Sequence, residues 1–171
     1  FVLSVLKNHT KTAKISFDGK NALLGEKSFK HKINLFGFPL SYYYDNNYVI
    51  VNIAGIIIGE KSNKNNFIKE LKKSNRVFNL EENNDFIISV IKEQAFTKEF
   101  YNKDIIHLAP ISIIEGNETI ILGSFKKDKL VKAIRVFEKL HKAKIHYLKQ
   151  QKIRNISIIK QNPELTEKQK D

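Results

Sequence analysis

The chain contains no cysteine, no methionine and no tryptophan in 171 residues. The missing thiols exclude disulfide scaffolds, thiolate zinc sites, iron–sulfur clusters and cysteine nucleophiles. Arginine is scarce: Arg76, Arg135 and Arg154 are the 3 arginines beside 27 lysines. A groove built to grip phosphate or guanine usually draws more on arginine, whose planar fork binds both bidentately. The glycines at 19, 25, 37, 55, 59, 116 and 123 spell neither G-x-G-x-x-G nor a phosphate-binding P-loop. G-x-S-x-G and H-E-x-x-H are missing too. No long apolar run exists either. The longest, Tyr48 to Ile58, is eleven residues with Asn52 inside it, against about 20 for a bilayer-spanning helix. The opening Phe1–Leu6 stops at Lys7 and has no charged leader, so it reads as a first strand rather than a secretory signal. The expected location is cytoplasmic, without a membrane partner.

What the chain has is charge and a core. It carries 30 Lys+Arg against 18 Asp+Glu, a net charge of +12, with 42% hydrophobic residues. The excess is uneven. Residues 1–125 hold 16 basic and 13 acidic groups, residues 126–160 hold 12 and 2, and residues 161–171 hold 2 and 3. Basicity thus sits on one helix and the strand after it. The chain also has 24 Ile and 17 Asn; with Lys they share A/T-rich codons, so genome composition accounts for part of the excess.

Two stretches have helical spacing. After Ser62 and Asn63, good N-cap residues, Phe67, Ile68 and Leu71 share a face over residues 63–74. After Ser124, residues 126–142 place Leu130, Val131, Ile134, Phe137 and Leu140 in a stripe with Lys and Arg opposite. The remainder has strand character. Residues 32–44 and 48–58 flank Asp45-Asn46-Asn47, a hairpin loop. Residues 85–92, 104–114, 118–125 and 144–159 complete the strands, with Gly116-Asn117 expected as a type II′ turn. Residues 94–101 fit a short helix or a loop. Hairpin 33–58, helix 63–74 and strand 85–92 make one β-β-α-β unit, and hairpin 105–125, helix 126–142 and strand 144–159 a second. The expected fold is α+β: a two-layer sandwich with a mainly antiparallel sheet under two amphipathic helices, related to ferredoxin-like folds.

Candidate chemistry is thin. His141 and His146 are five residues apart across a helix end, a spacing that does not converge on one metal. Glu115 and Glu118 bracket the expected turn and read as solvated loop carboxylates, and Glu81-Glu82 is a second pair; acid–base catalysis needs one desolvated carboxyl. No catalytic, cofactor-binding or metal-ligating residue is assigned, and no enzyme activity is expected. Tyr42 and Tyr44 share a strand face and suit a ligand or base-stacking surface, or one side of the core. Lys126, Lys127, Lys132, Arg135, Lys139 and Lys142 are candidates for phosphate contacts, or a solvated helix face.

The C-terminal residues change character. Asn162-Pro163 breaks the last strand, and Leu165-Thr166-Glu167-Lys168-Gln169-Lys170 opens a helix, with Thr166 as N-cap and Gln169 as its capping-box partner. This opening resembles the first helix of the DNA-binding domain in archaeal bacterio-opsin activator-type helix-turn-helix transcription regulators, which begins Leu-Thr-x-x-Gln-basic. Leu108-Ala109-Pro110-Ile111, Ile113-Ile114-Glu115-Gly116-Asn117-Glu118 and the strand, helix and strand that follow resemble that family's regulatory domain. One departure is Thr119-Ile120, where the family often has tryptophan. The resemblance implies a regulatory domain over residues 1–161, ligand-sensing or dimerising, then a linker and the first turn of a helix-turn-helix over 162–171. It also implies DNA as a partner through the missing C-terminal module, a homodimer, and a small-molecule effector. Two other readings stay open: a free-standing basic nucleic-acid-binding protein using helix 126–142, and a small enzyme whose site lacks a familiar motif.

Overall fold

The computed structural model describes residues 10–94 and 99–151. In chain order these form β1 (Thr10–Asp18), α1 (Leu23–His31), β2 (Asn34–Asp45), β3 (Tyr48–Ile58), α2 (Lys61–Lys73), β4 (Val77–Asn83), β5 (Phe86–Gln94), β6 (Ile106–His107), β7 (Ile111–Ile114), β8 (Asn117–Ser124), α3 (Lys127–His141) and β9 (Lys144–Gln151). The strands make one antiparallel sheet in the order β4-β5-β3-β2-β7-β8-β1-β9, with the short β6 paired to β8. The α+β sandwich and its antiparallel sheet are therefore as expected. The expected segment 162–171, with Thr166 and Gln169, lies outside the described residues, as does the strand proposed at Phe1–Leu6.

The order divides at the β2–β7 pair. On one side, hairpin β2–β3 leads through α2 to the edge strand β4, and β5 returns to fill the place between β4 and β3. On the other, hairpin β7–β8 leads through α3 to β9, and the place between β8 and β9 is filled by β1 from the start of the chain. Each β-β-α-β unit read from the sequence thus holds a fourth strand, and the two units get it from different places along the chain.

Period-2 alternation assigns the faces. Ala13, Ile15 and Phe17 of β1, Val49, Val51 and Ile53 of β3, and Ile120 and Leu122 of β8 point to the helices and are buried. Phe67, Ile68 and Leu71 of α2 and Leu130, Ala133, Ile134 and Phe137 of α3 complete one continuous core with them. The α2 stripe is the one expected from helical spacing. On α3, Leu130, Ile134 and Phe137 are buried as expected, but Ala133 takes the remaining core position, Val131 is only partly buried and Leu140 is 52% exposed. On the opposite face Ile56, Ile58, Phe86, Ile88 and Ile114 are about half exposed.

The third helix, α1, is an addition to the two expected. Its sequence, Leu23-Leu24-Gly25-Glu26-Lys27-Ser28-Phe29-Lys30-His31, has a glycine inside, and Ala22 supplies no side-chain cap. Tertiary partners close it instead. Glu93, on β5, accepts the Leu23 N–H at 3.2 Å. At the other end Lys32 turns left-handed at φ 50°, and the Ile33 N–H reaches Ser28 O at 3.1 Å. The buried Ser28 hydroxyl donates to Ile33 O at 2.6 Å and accepts the Gly116 N–H at 3.4 Å, tying the helix end to the β7–β8 turn. Ser28→Ala leaves those two backbone groups short of a partner and should cost about 1–2 kcal/mol, read from urea unfolding midpoints.

The β7–β8 turn lies one residue earlier than expected. Ile114 pairs with Asn117, so the central residues are Glu115 and Gly116. Both have positive φ, 48° and 83°, the signature of type I′ rather than II′. The shift matters for chemistry: Glu118 is the second residue of β8, paired with Ile113 and Phe17, and its side chain faces the helices.

Candidate ligand-binding cavity

Under the helices, where the two halves of the sheet meet, lies a cavity of about 80 Å³. One water needs roughly 10–15 Å³ of such space, so there is room for several non-hydrogen atoms. The floor comes from both halves: Leu35, Ile53 and Ile91 on one side, Phe17 and Ile113 on the other. Phe137 and His141 of α3 and the segment carrying Phe100 and Tyr101 form a wall. That wall is one aromatic cluster, with Phe137 4.0 Å from Phe100 and 5.0 Å from Phe17 between ring centroids, and His141 5.4 Å from Phe137. His107 stacks on Tyr101 at 5.8 Å behind it, and burial holds its pKa down at about 4.

Two carboxyl groups stand at one end, near the start of α1. Glu93 is buried and accepts the Leu23 N–H. Arg76, which precedes β4, makes an ion pair with it through Nη2 and also donates from Nε to Lys92 O at 3.2 Å. Burial raises the Glu93 pKa, while Arg76 and the Leu23 N–H pull it back. Glu118 is different. It accepts no hydrogen bond among the described residues, and burial, helped by the nearby Glu93 charge, pushes its carboxyl up to about 8. At neutral pH it is mostly protonated.

Two glycines make the place for it. A Cβ on Gly19 would fall 2.4 Å from Glu118 Cγ and Oε1, and one on Gly25 would fall 2.2 Å from Gly19 O and 3.0 Å from Glu118 Oε1. No side chain fits at either position without moving backbone or the carboxyl. The Glu118 carboxyl therefore lies flat against bare backbone, and the cavity opens beside it.

The residues singled out in the sequence fall elsewhere or only at the margin. Tyr42 and Tyr44 do share a face, their rings 5.8 Å apart. Both stay more than a third exposed, and both also meet Tyr101: Tyr42 packs 5.7 Å from its ring, and the Tyr44 hydroxyl donates to Tyr101 O. Burial raises both phenols, Tyr44 to about 12. Of the six basic candidates, Lys126 is held by Asp104 at 2.9 Å and Lys132 by Glu99 at 3.0 Å. Lys127, Arg135, Lys139 and Lys142 are exposed on or just after α3. His141 faces the cavity while His146 meets Ser16 Oγ at 2.8 Å on the far face, so the two histidines do not converge. No protein-family model matches the chain, and no curated protein matches it.

The sequence places Glu118 in a solvated turn and gives Glu93 no role. Glu118 was hidden by the misplaced turn, although Glu118, Ile120 and Leu122 already alternate on one strand face. Glu93 closes an otherwise apolar strand, Phe86-Ile87-Ile88-Ser89-Val90-Ile91, and shares a face with Ile87 and Ile91. A carboxylate in phase with a buried stripe is the signal that was available for each.

Proposed function

We propose that the chain is the regulatory domain of a helix-turn-helix transcription regulator and that its cavity holds a small-molecule effector. The observation that carries this reading is the cavity itself: an apolar, aromatic-walled space with two convergent carboxyls, lined by both halves of the sheet. A ligand seated there touches both units, and α3 with them, so binding biases how the two halves pack. Leu165-Thr166 then begins the DNA-reading module. The exposed Lys127, Arg135 and Lys139 on α3 add sequence-blind phosphate contacts beside it, and the half-exposed apolar sheet face serves a homodimer. The protein works in the cytoplasm and performs no catalysis.

The test is the coding sequence beyond Asp171 and the DNA affinity of the full product. A reading frame continuing into a helix-turn-helix, whose product retards duplex DNA with a steep salt dependence, supports the proposal. A stop codon directly after Asp171, or no retardation at about 50 mM salt where non-specific binding is strongest, overturns it. A basic free-standing binder predicts instead that the 171-residue chain retards DNA by itself, and that reversing Lys127, Arg135 and Lys139 to Glu abolishes this.

A further inference from the structure

The effector site is acidic in a protein that is strongly basic. Of 30 Lys+Arg in the chain, none among the described residues lines the cavity; its ionisable groups are Glu93, Glu118, Tyr101 and His141. The charge on Glu93 is already matched by Arg76 and the Leu23 N–H. Glu118 accepts no hydrogen bond among the described residues, and Gly19 and Gly25, packed against its carboxyl, bring no side chain to it. The same cavity is lined by the rings of Phe17, Phe100 and Phe137, and an aromatic face attracts a cation.

We propose that the cavity binds a small amine with an apolar body, its ammonium group seated on the Glu118 carboxylate and its body against Phe17, Phe100 and Phe137. This rests on the reading of the cavity as an effector site and adds the chemical class. The alternatives fare worse on the same geometry. A carboxylate or phosphate would meet two carboxyl groups and no cation except Arg76, which is already engaged. A neutral alcohol or amide gains a hydrogen bond from protonated Glu118 but no charge pairing, so the raised carboxyl pKa stays unused.

Seating an ammonium group requires Glu118 to ionise. Below pH about 8 the empty site holds a proton there, and each amine bound releases it to solvent. Affinity therefore rises by about tenfold per pH unit up to that pH and levels above it while the amine stays protonated. The other charged groups facing the site are Glu93 from β5 with its partner Arg76, Tyr101, and His141 at the end of α3 with Asp18 near it. Burial keeps His141 below its ordinary pKa and Tyr101 above its own, so neither changes charge between pH 7 and 8.

Three probes of one shape decide the matter on the intact 171-residue chain: isopentylamine, isopentyl alcohol and isovalerate, titrated by ligand-observed NMR and calorimetry at pH 7.5. The expected result is binding of the amine at least about tenfold tighter than the alcohol, the charged partner adding what a neutral one cannot, and no binding of isovalerate. Glu118→Gln should erase the preference for the amine while the alcohol still binds, which also shows that the variant is folded. For the wild type, amine affinity should climb between pH 6 and 8. If alcohol or isovalerate binds as tightly as the amine, or amine affinity is flat with pH, the ligand class is wrong while the effector cavity stands. If none of the three binds, the effector reading falls with it.

Discussion

Glu118→Gln should raise the unfolding free energy at pH 9 by on the order of 2–4 kcal/mol, the Glu118 side chain being partly rather than wholly buried, and leave it nearly unchanged at pH 4. The carboxyl has a folded-state pKa of about 8 against an ordinary 4.5. Below pH 4.5 both folded and unfolded chains hold the proton, so Glu118 contributes no pH dependence. Between there and pH 8 the unfolded chain gives up its proton and the folded one keeps it, so the folded state binds more protons and stability falls as pH rises, by about 1.4 kcal/mol per unit for a full proton. Above pH 8 both are ionised and the loss is complete. Glutamine keeps the shape and the neutral polar head but has no proton to lose, so the variant's stability profile should stay flat where the wild type declines. Urea unfolding of both proteins at pH 4, 6 and 9 is the measurement. An equal difference between them at all three values would mean that Glu118 titrates as a solvated carboxylate. The direction is unusual, since replacing an ionisable side chain that has no partner stabilises the protein. If the cavity takes an amine as proposed, its ammonium group on Glu118 should recover part of this free energy by restoring a counter-charge.

The fold was legible wherever side-chain periodicity reflects burial. α2 carries a clean apolar stripe, α3 one that is right at Leu130, Ile134 and Phe137 and wrong at Leu140, and hairpin β2–β3 an apolar run interrupted by Asp45-Asn46-Asn47; all follow from the chain's own pattern. What escaped notice depends on partners distant in sequence. α1 lacks a cap of its own and is closed by Glu93 from β5 and by the turn at Gly116. β4, Val77-Phe78-Asn79-Leu80-Glu81-Glu82-Asn83, lies at the sheet edge with most of its side chains in water, so no alternation marks it. β1 alternates well through Ala13, Ile15 and Phe17, yet nothing local indicates that it slots between β8 and β9. The site was illegible for a related reason. Glu118 lies close to Glu93 only because β8 and β5 belong to different halves of one sheet, and the glycines that admit it, Gly19 and Gly25, lie on a third segment. A one-residue error in the turn was enough to move Glu118 from the cavity to solvent, since strand side chains change face at every step.

Arg76→Met is the other large effect expected, a loss of about 3–5 kcal/mol at pH 8 from stranding a buried carboxylate. Glu93 is 6% exposed and Arg76 is the one cation paired with it among the described residues. Without the guanidinium, Leu23 N–H is its remaining donor, and burial, which already raises the Glu93 pKa, goes unopposed. The folded state then prefers the protonated acid. By the same proton count as for Glu118, the penalty is largest above the folded pKa of Glu93 and fades toward pH 4, where the unfolded chain is protonated too. The reverse single change, Glu93→Gln, should cost less, because Arg76 keeps Lys92 O as an acceptor at 3.2 Å and about a quarter of its side chain remains in water, 28%. It does weaken the cap on α1, a loss of about 1 kcal/mol. Combining Arg76→Met with Glu93→Gln should recover most of the loss, since no charge is then left without a partner, and a double-mutant cycle in urea at pH 8 reads the coupling. Additive losses in the cycle would show that the pair is solvated. A large coupling that vanishes at pH 4 would place Glu93 as the ionised partner at the cavity end, leaving Glu118 as the carboxyl that awaits a ligand's charge.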